Sequence, residues 1–216
     1  MRRLTWVAVV MAMTVLFVGL LARPGSASWV GTYCYVDNAS VSAITRNTAR
    51  GYAEIAAGEG YEWGGGCWND NDRDDTPNAP DSGGEGPDCS GLVFKSWYLK
   101  LTWGASGFQR WNKMQNVHGH YGSDTFHAPS SDLPFYKLSN KYRSTTVFMD
   151  AFAKSGHVGL LDTSAYPSSG TDYIMEAKGD YLGTDIFVED YRYDSAYVAV
   201  RRKGWATQTC TGSCPK

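Results

Sequence analysis

The chain has 216 residues, 43% apolar and 14% aromatic, with 20 basic and 22 acidic side chains, 24 glycines and five cysteines. A disordered chain carries fewer aromatics and more charge, a multi-pass membrane protein repeats its apolar runs, and a net charge of −2 disfavours a basic nucleic-acid binder. The expectation is a folded protein with no nucleic-acid partner, whose odd cysteine count leaves one thiol outside any intramolecular pairing.

Residues 1–27 read as a secretory signal. Arg2 and Arg3 precede an apolar run from Trp6 to Leu21, and Gly25-Ser26-Ala27 supplies small residues for cleavage. A single membrane anchor is the other reading of that run; Pro24, Gly25 and the small residues after it favour cleavage, so no stable membrane insertion is expected afterwards. Cleavage removes Arg2, Arg3 and Arg23, so 17 basic residues then face 22 acidic ones. Residues 28–216 suit one domain with a sizeable core, with no repeat and no Pro/Ser-rich linker, and a secreted monomer is expected.

From Val41 to Ala57 the apolar positions Ile44, Ala49, Tyr52, Ala53, Ile55 and Ala56 predict a helix, with Asn38 or Ser40 as its cap. The stretch Cys67 to Pro87 holds six acids and one arginine with little to bury, which predicts a surface loop. Within it Asp70, Asp72, Asp74 and Asp81 echo the oxygen-ligand spacing of a calcium loop. Asp75 stands at the glycine position and Pro77 and Pro80 interrupt, so a solvated rim loop without metal is the preferred reading. A second helix is predicted over Gly91 to Leu101, apolar around most of its circumference and therefore a core helix.

The middle, Thr102 to Ser144, is rich in aromatic residues but has no defensible period. Its His118, His120 and His127 lack the second cluster that a zinc or copper site would need, and Trp97, Trp103, Trp111, Tyr121, Tyr136 and Tyr142 suit a core better than a glycan-stacking surface. No cofactor is expected. Five short β-type runs then follow: Val147–Phe152, Val158–Leu161, Tyr173–Ala177, Asp185–Val188 and Tyr197–Arg201. Strands this close, without helical crossovers, form an antiparallel sheet, so the fold class is α+β.

Chemistry begins at Asp88-Cys89-Ser90-Gly91-Leu92-Val93. A cysteine at the start of a buried helix meets free N–H groups and the positive end of the dipole, which favour the nucleophilic thiolate. A disulfide or an inert buried thiol suits that spacing equally well. His157, in Gly156-His157-Val158-Gly159, and Glu176, in Tyr173-Ile174-Met175-Glu176-Ala177, shift the balance. A charge inside an apolar strand is costly unless paired, and on neighbouring strands Glu176 can bond one imidazole nitrogen while the other faces Cys89.

These segments resemble the NlpC-type cell-wall cysteine peptidases. The resemblance rests on Tyr61-Glu62-Trp63-Gly64-Gly65, Asp88-Cys89-Ser90-Gly91-Leu92-Val93, Gly156-His157-Val158-Gly159 and Glu176-Ala177, in family order between Ala49 and Val200. It implies a papain-like fold in which the nucleophile opens a core helix packed on the sheet that carries the histidine and glutamate. It implies Cys89 as nucleophile, His157 as general base and acid, and Glu176 as the orienting residue. Tyr61, Trp63, Asp88 and Ser90 then fall at oxyanion and substrate-binding positions. The implied reaction is hydrolysis of a peptidoglycan stem-peptide amide through an acyl-enzyme, of the γ-D-glutamyl-diaminopimelate endopeptidase type, in the cell wall. Alternatives are an N-acetylmuramoyl-alanine amidase or acyltransferase on the same fold, or a non-catalytic wall-binding domain. The chain departs from the pattern at Glu176, where many members have His, Asn or Gln, at Met149-Asp150, where they have Gly-Asp, and in the inserted acidic loop.

Four cysteines remain beside Cys89. Cys34, Cys67, Cys210 and Cys214 can pair in three ways; Cys34 with Cys67 and Cys210 with Cys214 is preferred.

Overall fold

A computed structural model describes residues 40–41, 44–68, 86–106, 108–109, 119–163, 170–179 and 181–207. The expected signal, the acidic segment 69–85, His118, Trp111, Cys34, Cys210 and Cys214 lie outside the described residues, and Cys67 is described in its backbone only. In chain order the elements are β1 (Ser40–Val41), α1 (Arg46–Glu54), β2 (Gly66–Cys67), β3 (Gly86–Pro87), α2 (Cys89–Ser96), β4 (Phe108–Gln109), α3 (Ser123–His127), β5 (Phe135–Lys137), β6 (Ala151–Lys154), β7 (His157–Thr163), β8 (Asp172–Ala177), β9 (Thr184–Glu189) and β10 (Val198–Arg202). The fold is α+β: helices on a six-stranded antiparallel sheet in the order β5-β10-β6-β7-β8-β9.

α1 is shorter than its periodicity predicts. Thr45, not Asn38 or Ser40, is the cap, its hydroxyl accepting from the Thr48 N–H at 3.1 Å. At the other end the chain tightens into a turn so that the Gly58 N–H can reach the Thr184 carbonyl at 2.8 Å, which ties this segment to the start of β9.

α2 is the core helix the apolar pattern predicts, with all eight residues buried. Leu92, Val93 and Phe94 within it, and Trp97 at its end, are fully out of water, each contributing about 1.5–3 kcal/mol of burial. Its bounds are Cys89 and Ser96 instead of Gly91 and Leu101. Tyr98 adopts φ 55°, and the Tyr98 and Leu99 N–H groups bond the Lys95 and Phe94 carbonyls at 3.0 and 3.2 Å. This is a left-handed helix stop made without glycine, and it leaves Leu101 beyond the helix and half-exposed.

The strands sit within a few residues of their predicted positions. The largest displacement is β6, which starts at Ala151 instead of Val147. Residues 147–150 form a turn in which the Asp150 carboxylate accepts from the Val147 N–H at 2.9 Å and Met149 takes φ 63°. Asp150, buried, also pairs with Arg46 at 3.0 Å and Arg201 at 2.6 Å. Ala151, Ala153, Val158, Leu160, Met175 and Val200 pack toward the helices, and Phe152, Leu161, Ile174 and Ala199 form a second cluster with Leu138, Tyr191 and Tyr197. Alternation along the strands thus splits the apolar side chains between two faces. In the unreadable middle, α3 and β5 place Phe126 and Phe135 in the main core, stacked at 4.6 Å.

Candidate active site

Asp88 caps α2. Its Oδ1 accepts from the Gly91 N–H at 2.6 Å and the Ser90 hydroxyl at 3.0 Å, and its Oδ2 accepts from the Gly64 N–H at 3.0 Å. The Asp88 N–H returns a bond to the Gly65 carbonyl at 3.0 Å. Asp88 and Ser90 therefore spend their polar atoms holding the helix start against the glycine loop. A Cβ on Gly91 would lie 1.9 Å from the Gly65 carbonyl oxygen, so no larger residue permits this approach. The loop itself carries half-buried Tyr61 and exposed Trp63, 79% open to solvent.

Cys89 is the first residue of α2, buried and a free cysteine. Burial, and after it the Asp88 carboxylate, pushes its thiol up to about 11. Backbone N–H groups of Val158, Ser90 and Cys89 itself act the other way by hydrogen bonding to the sulfur. Burial wins, so the resting group is a thiol and needs a base before it can attack. Val158 of β7 and Cys89 lie in the same buried cluster.

His157 precedes Val158. Its Nε2 lies 2.5 Å from Glu176 Oε2, and the Glu176 side chain is fully buried. Continuing the β7–β8 register sets Gly159 opposite Glu176. A Cβ at 159 would lie 3.2 Å from Glu176 Oε2 and 2.5 Å from the Ile174 side chain, so glycine makes the space the carboxylate occupies. With Nε2 taken by Glu176, Nδ1 is the ring nitrogen left for a thiol proton. Val158 faces the helices while His157 and Glu176 share the opposite sheet face, so consecutive residues of β7 carry the packing against α2 and the His157–Glu176 pair.

Three residues without any mark in the sequence complete the surroundings of Glu176. Tyr191 donates its hydroxyl to the same Oε2 at 2.7 Å, and its ring meets the imidazole edge-on at 5.9 Å. Tyr197 stacks on Tyr191 at 3.9 Å with 15° between planes. Lys178 Nζ stands 3.7 Å from Glu176 Oε1 and pairs with Glu189. Burial and Glu176 hold the Tyr191 phenol far above its usual range, so it remains a donor. The available hint was indirect: a buried glutamate demands more than one donor.

Among the described residues no three His, Cys, Asp or Glu side chains are grouped to hold a metal ion, and no helix is long and apolar enough to cross a membrane. His120 and His127 are described and ungrouped; the Asp70–Asp81 segment lies outside the described residues. Compared with known protein families, with curated proteins and with solved structures, the chain matches none.

Proposed function

We propose that the chain is a secreted cysteine hydrolase of the NlpC type with a papain-like arrangement, cutting amide bonds in peptidoglycan stem peptides. One observation carries the reading. A fully buried glutamate holds Nε2 of an imidazole at the start of the strand whose next residue, Val158, shares a buried cluster with a thiol at a helix N-terminus. In the reaction His157 Nδ1 takes the Cys89 proton as the sulfur attacks the amide carbonyl carbon, and the Cys89 backbone N–H at the start of α2 stabilises the oxyanion. The C–N bond then breaks as His157 returns the proton to the departing amine, leaving a thioester. Water, deprotonated by His157, attacks the thioester and releases a carboxylate and the thiol. Because the resting thiol is protonated, the proton moves with the attack instead of being parted beforehand in an ion pair. Exposed Trp63 on the loop beside the nucleophile supplies a surface for the substrate.

The raised thiol pKa favours a second reading, a wall-binding domain in which Cys89 is inert. Incubating purified sacculi with the protein and with Cys89→Ala, then weighing the soluble fragments, separates the two. Peptides beginning at diaminopimelate mark the endopeptidase, intact stems released from muramic acid mark the amidase, and both vanish with Cys89→Ala. Absence of new fragments from every wall type tried, with the protein retained on the sacculi, establishes the binding domain instead.

A further inference from the structure

We propose that Tyr191 is a positioning residue of this site, tuning the proton affinity of His157 by donating to the glutamate oxygen that the imidazole also uses. The inference rests on the hydrolase reading in taking His157 as the base. Tyr191 Oη and His157 Nε2 converge on one oxygen, at 2.7 and 2.5 Å, inside a region where Glu176 is fully buried. A carboxylate oxygen shared between two donors offers each less than it would offer either alone, and in a water-excluded site that competition is strong.

The phenol is fixed for this role. Its ring is clamped between the imidazole edge and the stacked Tyr197. Burial and Glu176 keep Tyr191 protonated, so it donates across the working pH range. The neighbouring charges do not duplicate it. Just after β8, Lys178 is near Oε1 and is drawn to Glu189 of β9. On β6, Lys154 stands opposite His157 in register with its Nζ 4.8 Å over the Tyr197 ring. On β9, Asp185 pairs in register with Glu176 and is exposed, while α2 with Cys89 and Asp88 packs on the other face of the sheet.

Removing the hydroxyl frees Oε2 for the imidazole alone, so the imidazolium is better stabilised and His157 holds its proton to higher pH. The test is the His157 titration followed by NMR in the intact protein and in Tyr191→Phe, which keeps the ring, the edge contact and the stack. The midpoint should rise by about 0.5–1 pH unit, a threefold to tenfold gain in proton affinity, the net scale of one ordinary hydrogen bond. The Nε2 proton signal should move further downfield. A folded Tyr191→Phe with an unchanged or lowered midpoint overturns the proposal, since a packing role alone would change thermal stability and leave the titration in place. Should Tyr191→Phe not fold, 3-fluorotyrosine at position 191, a stronger donor that keeps the ring and the stack, should lower the midpoint; no fall overturns the proposal. The titration needs no substrate, so its failure stands apart from a failure to release fragments from sacculi.

Discussion

Replacing Asp88 by alanine separates the two effects this residue has on the helix start. Its carboxylate accepts three hydrogen bonds, from Gly91, Ser90 and Gly64, in a buried setting. Loss of the cap costs about 1 kcal/mol, and stranding the Gly64 N–H and the Ser90 hydroxyl costs roughly 1 kcal/mol each, so the variant should lose about 3 kcal/mol. For a domain of this size that is a fall of roughly 6–12 °C in Tm. The charge works in the other direction. After burial, the Asp88 carboxylate is the next cause that pushes the Cys89 thiol up to about 11. Its removal must lower the thiol midpoint, although burial keeps that midpoint above the usual cysteine range. Differential scanning calorimetry reads the first effect and iodoacetamide alkylation against pH, followed by intact mass, reads the second. A protein that is less stable and yet more readily alkylated near neutrality is expected. An alkylation midpoint unchanged or raised in the variant refutes the assignment of Asp88 as a brake on the thiolate, and a Tm within a degree of the parent refutes the cap.

Three further outcomes follow from the same geometry. Gly159→Ala should displace the Glu176 carboxylate and cost about 1–3 kcal/mol through overpacking, visible as loss of the downfield His157 Nε2 proton; a retained signal would show that the carboxylate did not move. Because the Cys89 thiol rises from 9.0 to about 11 on folding, the folded chain holds that proton where the unfolded one has lost it. Its stabilising contribution is complete below about pH 9 and disappears as the pH climbs past 11, by roughly 2–3 kcal/mol, and Cys89→Ala should flatten that alkaline decline in denaturant titrations. Met149→Gly relieves about 1 kcal/mol of left-handed strain but empties a fully buried site worth roughly 2–5 kcal/mol, so a net loss is expected in urea unfolding and a gain would contradict the packing.

The boundaries hardest to read are those where a bulky residue takes a glycine's backbone conformation. Nothing in Trp97-Tyr98-Leu99 announces a left-handed stop, so the apolar run continues on paper to Leu101 while the helix ends at Ser96. Met149 does the same before β6, and the Gly-Asp turn expected of the resembled family is made there at φ 63° without its glycine. α3 and β5 escaped because five and three residues are too few to establish a period, and Gly122 caps α3 without a side-chain bond. The site itself was half legible. Cys89, His157 and Glu176 stand in short motifs whose glycines are demanded by close approach, at Gly91 against Gly65 and at Gly159 against Glu176. Tyr191 reaches Glu176, with Tyr197 stacked on it, only because the segment after β9 folds back over the sheet, a relation no local pattern encodes.

The depth at which Cys89 is held bears on how a chain with five cysteines avoids crossing its own sulfurs. Thiol–disulfide exchange proceeds through thiolate, and its rate depends on how much thiolate is present and on access to it. A sulfur with a midpoint near 11 and 7% exposure presents almost none of either at neutral pH. Docking of β7 against the start of α2 therefore makes the odd sulfur a poor exchange partner at the same moment that it brings the imidazole-bearing strand to it. Until that docking the five thiols compete on nearly equal terms. If the chain folds in an oxidising compartment, oxidation before that docking is the step at which it is exposed to scrambling, and completion of the sheet ends it.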